Sequence, residues 1–239
     1  MKRGGKPEGA AADKFAGGTM QLAIDTSLST RLLQIVTDPQ AVEDLRAYFE
    51  DGPPNTGYPG RWFEQIGSPA DQKRDRNRLT ADDIVALSAL SIRLPITVSA
   101  KLLGEDSAEI TELLTEIPAD VDLWDVARSD LSPRSAAYRL FTKFRAMAWN
   151  GGEHGTSGVT ASKLLARKRP RLIPIYDHQV NQLIDLGKGA NWWISLHEAL
   201  TAEVRDHLEH AHKTAELGPG ITPLRTLDVI LWMRARHTD

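Results

Sequence analysis

The chain has no cysteine among its 239 residues, which excludes disulfides, thiol nucleophiles and cysteine-ligated zinc or iron–sulfur sites. No stretch approaches the roughly 20 apolar residues that span a bilayer, and the N-terminus lacks the apolar core of a signal peptide. The expectation is a cytoplasmic protein with no membrane contact. Strand-type alternation is nearly missing, and no Walker loop, dinucleotide fingerprint, G-x-S-x-G or H-E-x-x-H motif occurs. No cofactor is therefore implied. His207, His210 and His212 lie near Asp206 and Glu209 but lack a third ligand at metal spacing, so no metal site is assigned; polar histidines near a helix C-terminus are favourable on their own.

What is present is ordinary for a globular protein: 41% hydrophobic and 26% charged residues, with a formal net charge of −3. Met1 to Thr19, rich in Gly, Ala and Lys without apolar period, is read as a disordered tail, and residues 20–239 as a single helical domain. Helical periodicity recurs from Thr26 to Val36 and from Asp38 to Glu50, the second opened by Asp38-Pro39. Thr80 and Asp83 form a capping box ahead of Ile84, Val85, Leu87 and Leu90. Further helices are expected over Pro95–Leu103, Ser132–Trp149 and Asn191–Glu216, with a last one from Thr222. The fold class is all-α, with nine or ten helices, in two lobes around a cleft near Gly158 and Asp177.

Charge is unevenly spread. Leu102 to Ala127 holds eight acids and no Lys or Arg, and reads as a solvated face. Gly158 to Tyr176 holds five cations, Lys163, Arg167, Lys168, Arg169 and Arg171, and no acid. Gly155 and Gly158 lead into a helix whose free N–H groups and dipole favour a phosphate. With the cations behind them, the segment reads as a nucleic-acid backbone site, with DNA as the expected partner. Arg139, Lys143 and Arg145 would extend that basic surface. Pro170 and Pro174 stop the helix, and Asp177 is placed to N-cap the next. Asp51 to Pro59 is a loop that delivers Tyr58, Arg61, Trp62 and Phe63 together, either to stack on a base or ligand or to pin the loop to the core. Asp71 to Arg78 reads as a solvated linker.

From Gly155 to Leu186 the order of glycine turn, helix, Pro174-Ile175-Tyr176-Asp177-His178 and helix resembles the helix-hairpin-helix DNA glycosylase superfamily. The resemblance implies a helix-hairpin-helix-like element gripping DNA phosphates, with Asp177 as the catalytic carboxylate in N-glycosidic cleavage. The line Gly158-Val159-Thr160-Ala161-Ser162 lacks the second glycine of that hairpin, and Ser162 stands where bifunctional members carry lysine. Over most of the chain from Tyr58, the blocks Tyr58–Phe63, Thr80–Ala86 and Ser162–Asp177 resemble an uncharacterised bacterial family of unknown function. Two other readings stand beside the first: a non-enzymatic helical interaction module, and a small-molecule enzyme using the Tyr58/Arg61 loop with Asp177.

Overall fold

The computed structural model describes residues 27–53, 56–147, 157–185 and 191–238. Among them are twelve α-helices and no strand. In chain order these are α1 (Leu28–Val36), α2 (Gln40–Phe49), α3 (Pro69–Arg74), α4 (Ala81–Ala89), α5 (Ile96–Leu103), α6 (Ser107–Glu116), α7 (Ala136–Met147), α8 (Ser157–Lys168), α9 (His178–Ile184), α10 (Trp192–Ala199), α11 (Ala202–Thr214) and α12 (Pro223–Thr238). Short 3₁₀ turns occupy Pro59–Trp62, Leu123–Asp125 and Arg128–Leu131.

Many helix starts are where local chemistry puts them. Thr80 and Asp83 form the reciprocal capping box of α4. The Asp177 side chain accepts from the Gln179 amide to cap α9, and Asp38 accepts from the Gln40 amide at 2.9 Å before α2. Each such cap contributes about 1 kcal/mol. The helix count exceeds nine or ten for identifiable reasons. The expected helix over residues 191–216 is two, because the chain turns at Leu200 and Thr201 caps α11 by accepting from Val204. The expected linker at 71–78 instead contains α3, with Ser68 capping it through the Asp71 amide. The expected disordered tail lies outside the described residues.

Buried apolar side chains from Leu32 in α1 to Met233 in α12 form one cluster. Each fully buried leucine in it contributes roughly 1.5–3 kcal/mol. Two helices organise the rest: α12 packs on α1, α2, α9 and α11, and α8 on α4 and α7. Between Thr160 and Arg169 only Arg167 escapes the buried class. A helix with three cations and no acid is thus an interior one.

Candidate functional site

α8 places the cations of the expected nucleic-acid site largely in the interior. Lys163, Lys168 and Arg169 are 8%, 6% and 0% exposed, and the Arg167 side chain is only 4% exposed. None of the four presents a free charge to a phosphate backbone. Their partners follow a rule: the last carbonyls of a helix have no intrahelical donor and sit at its negative end. Lys163 donates to Leu90 O at 3.1 Å, at the C-cap of α4. Lys168 donates to Asp75 O at 3.0 Å, at the C-cap of α3. Arg169 reaches Leu114 O and Ile117 O at the end of α6. Arg167 donates to Phe63 O at 2.5 Å, at the end of the Pro59–Trp62 turn. One helix and the residue after it therefore supply donors to the ends of three α-helices and one 3₁₀ turn. Asp83, itself buried, balances part of the charge at 3.2 Å from Arg167 and 2.9 Å from Lys168.

The acidic run is the counterpart of the remaining cations. Arg139 pairs with Glu116 at 2.6 Å, and Lys143 with Asp106 and Glu109 at 2.8 and 2.7 Å. Arg171 is half-exposed but paired with Asp122. Arg171 and Asp122 link the two charge segments, and pairing with the acidic run keeps Arg139 and Lys143 from extending a basic surface. Gly155 lies outside the described residues, and Gly158 already belongs to α8, in open space. The helix-hairpin-helix-like element accordingly rests on no described glycine turn.

Asp177 and Tyr58 do meet. They line a cavity of ≈ 270 Å³ together with Tyr48, Gly60, Ser91, Lys163, Arg225, Asp228, Trp232 and Arg236. Arg61 and Trp62 stay out of it. Arg61 is 3% exposed and donates to Thr56 O, while Trp62 stands 46% exposed on the outside and only Phe63 pins the turn to the core. Tyr58 stacks on Tyr48 with ring centroids 5.3 Å apart and meets Trp232 edge-on at 5.6 Å. Gly60 lets the turn approach: a Cβ there would lie 1.9 Å from the Tyr48 hydroxyl.

Behind the aromatic wall lies a buried ionic group. Arg225 donates to the Tyr48 hydroxyl at 2.8 Å, to Gly60 O at 2.9 Å and to Asp228, and its Nε lies 2.8 Å from Glu64 Oε1. Burial works to lower the Arg225 pKa, but Glu64, Tyr48 and Asp228 together raise it. Two carboxylates share this one guanidinium, so desolvation of the second is uncompensated. Burial accordingly pushes both Glu64 and Asp228 upward. Burial also lowers Lys163, against the attraction of Asp177 and Asp228. The Ser162 hydroxyl accepts from the Tyr176 amide at 3.0 Å, tying the connector that carries Asp177 to α8. Tyr176 packs against His178 and Trp192, and neither it nor His178 lines the cavity.

The cavity rim includes a residue of unusual backbone. Ser91 has φ 61°, in the left-handed region. Its amide bonds Ser88 O and the next amide, of Ile92, bonds Leu87 O, the two-bond helix ending that normally carries glycine. Leu90 O, left over by this arrangement, is the acceptor of Lys163.

Sequence reasoning singled out Asp177, Tyr58 and Lys163 but missed Tyr48, Ser91, Arg225, Asp228 and Arg236. The available signal was in α12, where Asp228, Trp232 and Arg236 recur every four residues beside the apolar stripe of Leu224, Leu227 and Leu231. The histidines of α11 form no cluster: among the described residues no group of three or more potential ligands is suited to a metal. No helix among them is long and apolar enough to cross a membrane.

A family profile described as a family of unknown function, DUF6308, matches residues 41–235. No curated protein and no solved structure matches the chain.

Proposed function

The chain belongs to DUF6308, a family of unknown function, and from that premise we propose that it is an enzyme cleaving the N-glycosidic bond of a small base-bearing substrate. The observation that carries this reading is the convergence of Asp177 and Lys163 on one cavity walled by the rings of Tyr58 and Trp232. At ≈ 270 Å³ it lies just below the ~300–1,000 Å³ of drug-sized ligand sites. That size suits a single nucleoside-like molecule. The inward turn of Lys163, Arg167, Lys168 and Arg169 favours such a substrate over duplex DNA, which needs solvent-facing cations along its backbone.

The two cavity carboxylates divide the chemistry. Asp228, held by Arg225 at the cavity wall, is assigned as the proton donor to the departing base nitrogen. Asp177, half-buried at the start of α9, stabilises positive charge on the sugar and takes the proton of the attacking water. The C–N bond breaks, water oxygen bonds the sugar carbon, and base and free sugar leave. A pair of carboxylates in environments of different polarity is the usual basis of such a split.

The test is base release from a panel of nucleosides, nucleotides and base-bearing oligonucleotides, followed by chromatography. Wild type should release base from at least one member. Asp177→Asn, which preserves the cap because Asn also caps well, should lower the rate on the order of 10²–10⁴-fold. No release by wild type from any member, or an Asp177→Asn rate equal to wild type, sinks the proposal.

A further inference from the structure

Arg225 is paired with Glu64 and Asp228, and Lys163 faces Asp177 and Asp228. Arg236 is the exception. Its guanidinium carbon sits 4.8 Å from the Trp232 ring centroid and 5.8 Å from that of Tyr58. Among the described residues no carboxylate lies within 4.0 Å of it. Contact with ring faces orients a guanidinium while leaving its in-plane N–H donors unused. Those donors form the fork that matches a phosphate or carboxylate.

Its position fits the reaction site. Helical side chains lean toward the N-terminus, and the Arg236 guanidinium accordingly lies over Trp232, one turn back along α12. Asp228 is one further turn along the same face, a rise of about 6 Å. Asp228 and Arg236 thus line the same cavity from one helix. Arg236 is exposed at the rim, so an anionic group reaches it without being fully desolvated.

We propose that Arg236 is the anion-recognition residue of this cavity and that the substrate is a mononucleotide, its phosphate held by Arg236 and its glycosidic bond facing Asp177 and Asp228. This rests on the cleavage reading for the identity of the base-bearing part, while the phosphate contact stands on the Arg236 guanidinium held against the Trp232 and Tyr58 rings. A phosphodiester in a single strand offers the same chemistry, and the test separates the two sources.

Titration calorimetry on the full chain compares the four nucleosides, their 5′-monophosphates and a single-stranded ten-residue oligonucleotide. At least one monophosphate should bind 10-fold or more tighter than its nucleoside. Arg236→Met should remove that preference by weakening the monophosphate more than the nucleoside, and Arg236→Lys should restore part of it. Equal binding of nucleoside and monophosphate, a preference that survives Arg236→Met, binding of the oligonucleotide alone, or no binding at all would each overturn the proposal. The outcomes also separate from those of the cleavage assay. A phosphate preference without base release refutes cleavage only, whereas base release from nucleosides and nucleotides at equal efficiency refutes the phosphate site only.

Discussion

Replacing Arg169 by methionine separates an interior cation from a surface one. The residue is 0% exposed and makes five hydrogen bonds: to Ile117 O at 2.9 Å, Arg76 O at 2.8 Å, Lys168 O at 2.7 Å, the Asn77 side-chain oxygen at 2.8 Å, and Leu114 O. Burial, with Arg76 nearby, pulls its pKa down to about 10, which still leaves it charged at neutral pH. Methionine keeps the apolar stem, so little packing is lost. Three of the acceptors, Ile117 O, Lys168 O and Leu114 O, are bonded in fully buried positions, and leaving each without its donor costs about 1–3 kcal/mol. Part is offset, since Leu114 O keeps the Ile117 amide and no guanidinium has to be desolvated. The net expectation is a loss of about 3 kcal/mol, read from the urea midpoint of tryptophan fluorescence at constant slope. The half-exposed, paired Arg171 is the control, and Arg171→Met should change stability by about 0–1 kcal/mol. A change below about 0.5 kcal/mol for Arg169→Met, the range of an ordinary surface position, would refute the interior role of α8.

Two further outcomes follow from the same geometry. Ser91→Gly relieves a non-glycine residue at φ 61° and should raise stability by up to about 1 kcal/mol, visible as a higher urea midpoint; an unchanged or lower midpoint would show that the serine side chain is itself stabilising. Glu64 and Asp228 are raised above 4.5 and 3.8, so the folded chain holds protons that the unfolded chain has released. Their contribution is full below those values and is lost as pH rises through the folded pKa values. Lys163 and Lys168 are lowered from 10.5, so theirs is present above 10.5 and is lost as pH falls through the folded values. Asp38, Asp71 and Asp75, lowered mainly by side-chain hydrogen bonds, act in the opposite sense to the raised pair at the acid end. The downward mid-acid slope of unfolding free energy against pH should therefore become shallower in Asp228→Asn, with Glu64 retaining its share; a slope identical to wild type would contradict the buried-carboxylate assignment.

Much of the helical framework was legible because caps and proline breaks are local. The Thr80–Asp83 box, the Asp177 cap and the Thr222 start of α12 all depend on side chains acting a few residues away. The inside-out character of α8 was not legible in the same way. Its cations bond mostly backbone carbonyls, which every residue possesses, and Asp83, paired with Arg167 and Lys168, lies 84 and 85 residues from them in sequence. One trace existed: Ala161, Leu164, Leu165 and Ala166 alternate with Lys163, Arg167 and Lys168 so that no broad polar face remains. The cavity was half legible. Asp177 and Tyr58 sit in segments whose proline and glycine content drew notice, whereas Arg225, Asp228 and Arg236 lie among other polar residues on the final helix, and only tertiary packing shows that they line one cavity.

The span of chain that closes the cavity also sets a timetable for its assembly. Arg225 meets the Tyr48 hydroxyl across 177 residues, a separation that at ~5–20 residues per second of synthesis amounts to roughly 10–35 s. During that interval α2 and the Pro59–Trp62 turn have emerged without the helix that covers them. The late pairing is also non-local, the kind that slows folding because a large loop must close before any contact compensates. Synthesis halted before residue 225 would leave a chain with eleven of the twelve described helices and an unfinished wall where its binding site would be.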